Sequence, residues 1–242
     1  MFAVLRRRIA RAIIIDRASG KKNSVIDRIA KERSEENYRF AAQFVEGKAV
    51  LDIGGGTGIG HDHLLANNPC RVLSLDKAVC PQKTLRHLDS RLEYWKSDFL
   101  EQDFADTLFD VVLCLGTLFY IPDHDAALGK MERLLRPGGL LIINCINDDL
   151  VTRYFGMQLR DIDLKFSGAY GTSEFRALLE KHFGTEPVLY VQQPVSLSTS
   201  VFSRVRLWTA ALLWPFARHP VLPRATGKTG MYNYAVVTTR SP

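Results

Sequence analysis

Disulfide frameworks and metal-binding pairs are the first things missing from this 242-residue chain. Its four cysteines, Cys70, Cys80, Cys114 and Cys145, form no Cys-x-x-Cys pair and have no histidine nearby at metal-ligand spacing. That pattern speaks against a zinc module or a disulfide-stapled fold. Cys114 and Cys145 lie inside strongly apolar runs, where a thiol behaves as a small hydrophobe, and reduced thiols fit a cytoplasmic location. Long apolar runs are missing too. The most apolar stretch, Val201 to Leu222, has only eleven uncharged residues between Arg206 and Arg218, against the roughly twenty a transmembrane helix needs. Met1 to Ile15 lacks the uninterrupted core of a signal peptide, because Arg6, Arg7, Arg8 and Arg11 break it up. A composition of 46% hydrophobic and 24% charged residues excludes a disordered chain and a multi-spanning membrane protein. The net charge of +6 leaves room for anionic partners without requiring them.

What is abundant is glycine, and it is concentrated. Val50-Leu51-Asp52-Ile53 runs into Gly54, Gly55, Gly56, Gly58 and Gly60, five glycines within seven positions. The spacing predicts a buried strand that breaks into a loop with almost no side chains, through which a ligand can touch the backbone. The plainer alternative is a flexible surface turn. A helix from His61 to Asn67 follows, its N-terminal amides facing the loop. His61 and His63 fall on different faces of it and make no metal pair. Arg71 to Leu75 is a second apolar strand, closed by Asp76. In a strand–loop–helix–strand unit this acid lies beside the first loop, where a carboxylate can accept from both hydroxyls of a ribose.

A helix carrying Leu85 and Leu88 leads to a third strand, Leu92 to Leu100, that contains Asp98 and Phe99. An acid there can accept from an adenine amino group while the ring covers the base. The alternative is a turn cap with Phe99 in the core. Phe109 to Tyr120 is a fourth strand that runs into Gly116, and Asp123 to Leu135 has helical spacing with Ala127, Leu128, Met131 and Leu134 inward. Arg136-Pro137-Gly138-Gly139 stops that helix, and Leu140 to Cys145 is a fifth strand. Strand–helix alternation of this kind implies a parallel sheet covered on both faces.

Asp52-x-Gly54-x-Gly56-x-Gly58, the acids Asp76 and Asp98 closing successive strands, Phe109-Asp110 and Leu135-Arg136-Pro137-Gly138-Gly139 together resemble class I S-adenosylmethionine-dependent methyltransferases of the type 11 kind. The likeness covers roughly residues 40 to 190 and the terminal strand. The competing dinucleotide fingerprint, Gly-x-Gly-x-x-Gly, fails, since its third position is Ile59 or His63. The resemblance implies a Rossmann-like α/β fold: a seven-stranded, mostly parallel sheet with helices on both faces and an antiparallel last strand at Tyr232 to Thr238, inserted beside a strand at Val188 to Gln192. It implies S-adenosyl-L-methionine as cofactor. The contacts it implies come from Asp52, Gly54, Gly56, Gly58, Asp76, Lys77, Asp98, Phe99 and Gly116. Residues 1–45 are expected to form N-terminal helices of the same domain, and 46–242 the methyltransferase domain, with an apolar insertion at about 195–230.

The acceptor is less legible. The fourth strand ends Leu115-Gly116-Thr117-Leu118, without the Asn/Asp/Ser-Pro-Pro-aromatic signature of base-amine methylases, and no basic-aromatic platform for single strands stands out. Nucleic acid is therefore disfavoured, and a small, apolar or lipid-like acceptor is expected. Tyr120 and His124, on the rim after the fourth strand, are candidates to face it, His124 as a general base for a hydroxyl. The alternative is that Ile121-Pro122-Asp123 caps the next helix with His124 in its first turn. Met1 to Ile15 reads either as a basic amphipathic helix at a membrane surface or as a helix packed on the domain. Val201 to Leu222 reads as ordinary packing, an interfacial segment, a lid or a dimer contact. A protein that binds the cofactor without catalysis is a further alternative.

Overall fold

The computed structural model describes residues 25–78, 89–155, 158, 168–196, 221–223 and 228–240. The amino-terminal segment 1–24, the stretch around Leu85 and Leu88 and the apolar run 201–220 lie outside them, so the expectations placed there stay expectations. Strands β1 (Ala49–Ile53), β2 (Arg71–Leu75), β3 (Leu92–Trp95), β4 (Phe109–Cys114) and β5 (Leu135–Asn147) run parallel in the order 3-2-1-4-5. The two-residue β6 (Ala169–Tyr170) pairs with the end of β5. Beyond β5 the sheet continues through β9 (Lys228–Thr238), β7 (Val188–Ser196) and β8 (Val221–Pro223). The last strand is antiparallel to both β5 and β7. The parallel core and inserted final strand are as the resemblance implies. β6 and β8 are additions, too short to leave a periodic trace in sequence.

Helices cover both faces. The odd residues of β1 face one core with Ala127, Leu128 and Met131 of α3 (His124–Leu134) and Phe175, Leu179 and Phe183 of α5 (Thr172–Phe183). Val50 faces the other core, with Tyr38, Phe40 and Ala41 of α1 (Val25–Ala41) and Leu64 of α2 (His61–Leu65). A strand buried on both faces must be apolar at nearly every position, which is why β1 and β4 read as continuous runs. Each large side chain so enclosed contributes roughly 1.5–3 kcal/mol. A further helix, α4 (Asp148–Phe155), follows β5 directly.

One motif folds differently from its sequence reading. The Pro-Gly-Gly turn belongs to the start of β5, which pairs Leu135 with Phe109 and then Leu140 with Val111. Residues 136–139 bulge out opposite Asp110, with Gly138 at φ 74°. Asp110 closes this bulge by accepting from the Arg136 guanidinium at 2.7 Å and from the Ala49 amide at 2.8 Å. The third strand is also shorter than expected: it ends at Trp95, and Asp98 lies in the turn beyond it.

Candidate functional site

The loops after β1, β2, β3 and β4 all open on one edge of the sheet, and the chain leaves β1 outward to β2 and β3 before it crosses back to β4. In open parallel sheets that reversal leaves a crevice at the carboxyl ends of the strands. The glycine loop lines it. Gly54, Gly56 and Gly58 have φ of 76°, 56° and 80°, a region that side chains with a Cβ rarely adopt. The loop is anchored by amides of Gly54 and Gly55 on the Leu75 carbonyl, at 2.8 and 3.2 Å. A Cβ on Gly54 would lie 2.1 Å from Oγ1 of Thr117, so the loops after β1 and β4 touch here. A Cβ on Gly56 would meet nothing nearer than 4.0 Å, and one on Gly116, at φ 68°, nothing at all within that range. These two backbones, one in the loop after β1 and one in the loop after β4, both face open space, a cradle of the kind a ligand fills.

Asp76 lies at its rim. One oxygen accepts the Gly56 amide at 3.0 Å and the other the Ala78 amide at 2.8 Å, so the acid and the glycine loop share one edge. Lys77 reaches Asp98 at 2.6 Å, and this ammonium holds the Asp98 carboxyl below the usual carboxylate range. Asp98 also accepts the Leu100 amide at 2.9 Å and so closes a turn. Gly116 donates its amide to Asn144 of β5 at 2.6 Å.

Of three further candidates, Asp52 lies beneath the loop, and Phe99 and His124 take the positions of their alternatives, in the core and in the first turn of a helix. Asp52 is fully buried beneath the loop, where it accepts from Ser74 at 3.1 Å, from the Tyr38 hydroxyl at 3.0 and 3.1 Å, and bonds His61 Nε2 at 2.7 Å. Its carboxylate is spent on supporting the loop from below. Phe99 is 4% exposed and packs with Phe104 under the Lys130 ammonium, 5.2 Å from the ring centre, so the ring serves the core. His124 begins α3 behind the cap Asp123, whose carboxylate accepts the Ala126 amide at 2.9 Å. Its Nδ1 bonds the Tyr170 hydroxyl, and the ring also meets the backbone of Leu118 and Ile121. Burial pushes its pKa down, so the ring is neutral near pH 7, but its nitrogens hold the rim together. Tyr120, 53% exposed against the Phe119 ring, does face outward at that rim.

The sequence reading missed Tyr38, Asn144 and Tyr170. Asn144 carried a signal: an amide in the middle of the otherwise apolar run Leu140 to Cys145 needs a buried partner. Tyr170 belongs to the two-residue β6, and Tyr38 to a helix in which a tyrosine among apolar residues signals no particular partner. Burial raises the thiol pKa of Cys114 and Cys145, which leaves them inert in the core. Among the described residues, no group of three or more His, Cys, Asp or Glu could hold a metal ion, and no helix is long and apolar enough to cross a membrane.

Residues 51–143, the span from β1 to β5, match a family described as methyltransferase domain. Sterol 24-C-methyltransferase of Eremothecium gossypii is 28% identical over 117 residues, 46% of this chain and 31% of that protein. Ubiquinone biosynthesis O-methyltransferase of Pseudomonas syringae pv. tomato is 31% identical over 106 residues, 42% of this chain and 45% of that one. The matches span 27% to 51% of the length of such relatives. In fold, the chain is similar to 1,6-didemethyltoxoflavin-N1-methyltransferase of Burkholderia thailandensis, a structure with bound S-adenosylhomocysteine. The TM-score is 0.58 at 20% identity, over 99% of this chain and 88% of that one.

Proposed function

We propose that the chain is a class I S-adenosylmethionine-dependent methyltransferase and that it transfers a methyl group to a small, apolar acceptor. The observation that carries the reading is the convergence of the Gly56 backbone, the Asp76 carboxylate and the open Gly116 backbone on one crevice. S-adenosylmethionine, when bound, would supply a methyl group on a sulfonium: an acceptor lone pair would attack the methyl carbon in line as the carbon–sulfur bond breaks, with S-adenosylhomocysteine as the leaving group. Backbone at Gly54, Gly56 and Gly58 could approach the cofactor without side-chain interference, Asp76 would hold its ribose, and Gly116 would meet its methionine end. Lys77 and Asp98 would flank its adenine.

In this reaction the protein contributes alignment more than reactive groups, and alignment of two reactants supplies on the order of 7–11 kcal/mol in favourable cases. The engagement of His124 supports a mechanism that does not use it as base. Exposed Ile59 in the glycine loop and exposed Tyr120 after β4 support an apolar acceptor, and so do the sterol and ubiquinone-pathway names of two relatives. A lipid or quinone acceptor would bring the protein to the cytoplasmic membrane surface; a soluble one would leave it in the cytoplasm.

Calorimetry with S-adenosylhomocysteine tests the cofactor reading. The parent protein is expected to bind, and Asp76→Ala to bind at least about tenfold more weakly, as follows from losing a charge-assisted hydrogen bond. Undetectable binding by the parent, or binding undisturbed by the substitution, overturns it. Transfer of a radiolabelled methyl group to hydroquinones and sterols, with RNA and protein as comparators, tests the acceptor class. Co-sedimentation with anionic liposomes separates a membrane-bound acceptor from a soluble one.

A further inference from the structure

We propose that helix α1 is a polar brace whose adjacent residues Asn37 and Tyr38 set the positions of the two loops that form the crevice; this rests on reading the crevice as the cofactor site. The first arm runs through Tyr38. Its hydroxyl donates to both oxygens of Asp52, at 3.1 and 3.0 Å, and the same carboxylate bonds His61 at 2.7 Å. Asp52 precedes the glycine loop and His61 follows it, so one carboxylate joins both ends of the loop to α1. The Tyr38 ring also wedges against the loop, since a Cβ on Gly60 would lie 1.9 Å from it. The far nitrogen of His61 meets the Tyr94 hydroxyl from β3.

The second arm runs through Asn37, whose carbonyl accepts from the Tyr234 hydroxyl of β9. That phenol also reaches Gln192 of β7 at 2.8 Å and is hydrogen-bonded by Asn144, its partner across the β5–β9 ladder. Asn144 in turn holds the Gly116 amide at 2.6 Å. One turn of α1 thus reaches the β1 loop by one route and the β4 loop by another.

Every side chain in both arms except Tyr94 is less than one-tenth exposed. Buried polar groups cost free energy unless fully paired, and a satisfied network fixes one arrangement of the groups it joins. Burial raises the hydroxyl pKa of Tyr38 and of Tyr234, so each stays a protonated donor across the physiological range. Asn37 and Tyr38 are positioning residues, acting on the cofactor only through the loops.

The test uses the full chain, with S-adenosylhomocysteine calorimetry well below each variant's unfolding temperature and amide hydrogen exchange at residues 54–60 and 115–117. Tyr38→Phe, which keeps the ring, is expected to weaken binding about tenfold, the size of a lost hydrogen bond to a buried charge, and to speed exchange at 54–60 alone. Asn37→Ala is expected to weaken binding and to speed exchange at 115–117 alone. Leu179→Ala, in the core of the opposite face, or Leu179→Val if that variant does not fold, is expected to change affinity less than about twofold. Parent-like binding by both α1 variants, or an equal loss in the Leu179 control, overturns the brace. Should the parent itself not bind, the cofactor reading falls separately and exchange decides: loop-selective gains support the brace, and unchanged exchange in both loops overturns it.

Discussion

Two glycines of the crevice differ in what a methyl group would meet. At Gly116 a Cβ enters open space and only the left-handed backbone is strained, a cost of about 1–2 kcal/mol. At Gly54 the same backbone strain is joined by a clash 2.1 Å from the Thr117 hydroxyl, which adds about 1–3 kcal/mol. Urea denaturation is therefore expected to rank Gly54→Ala well below Gly116→Ala in stability, while Gly116→Ala loses cofactor affinity because its methyl occupies the ligand's space. The left-handed glycine loop and the strand-closing acid at its edge were legible from residue type and spacing, since a backbone-lined loop can hardly be built otherwise. For Phe99 and His124 the structure takes the alternatives, a core ring and a first-turn residue behind a cap, and Asp52 lies beneath the loop. Whether a carboxylate closing a strand points into the crevice or beneath it depends on which face the pleat presents, and the Tyr38 and His61 donors come from helices whose docking no local pattern announces.

Among the elements, the bulge between α3 and β5 is held by Asp110, which joins the first strand's amide to an arginine beyond the helix. The two bonds differ in weight. Asp110→Ala leaves the Ala49 amide unpaired, a loss of about 1–3 kcal/mol, whereas Arg136→Ala removes a half-exposed ion pair worth about 0–1 kcal/mol. Chemical denaturation of the two variants should show that order. Both residues belong to motifs that helped to identify the family, yet they sit away from the crevice and serve the sheet. The parallel strands and α3 were legible because two-sided burial writes an apolar run and a helical stripe into the chain. The bulge was not, because Pro-Gly-Gly after a helix signals a stop without saying that strand pairing begins before it.

The molecule as a whole should respond to acid in two steps. Burial depresses the pKa of His124 in the folded protein, so the unfolded chain binds more protons. Stability is then full above the ordinary histidine value of about 6.5 and falls as pH drops from there through the folded value. Asp98 and Asp125, held low by Lys77 and Lys181, and Asp89, held at about 2 by Arg91, contribute stability above about 3.9 that is lost as pH falls through their folded values. A thermal-unfolding series from pH 8 to 3 is expected to show a decline beginning near 6.5 and a second below about 4. The first should be absent in His124→Gln. At this scale the mostly parallel sheet with its antiparallel last strand was legible through the family resemblance, and its outer edge at β8 was not.

The inserted last strand also imposes an order in time. Chains are made from the amino end at about 5–20 residues per second, so β5 and β7 exist for several seconds before residues 228–238 emerge to pair with them. Until then each presents an unpaired edge open to other chains. Tyr234, which links α1 to the β4 loop, arrives with the same strand, so the crevice is completed only when β9 is in place. A chain ending at residue 227 is expected to aggregate and to bind no cofactor, as sedimentation and calorimetry would show.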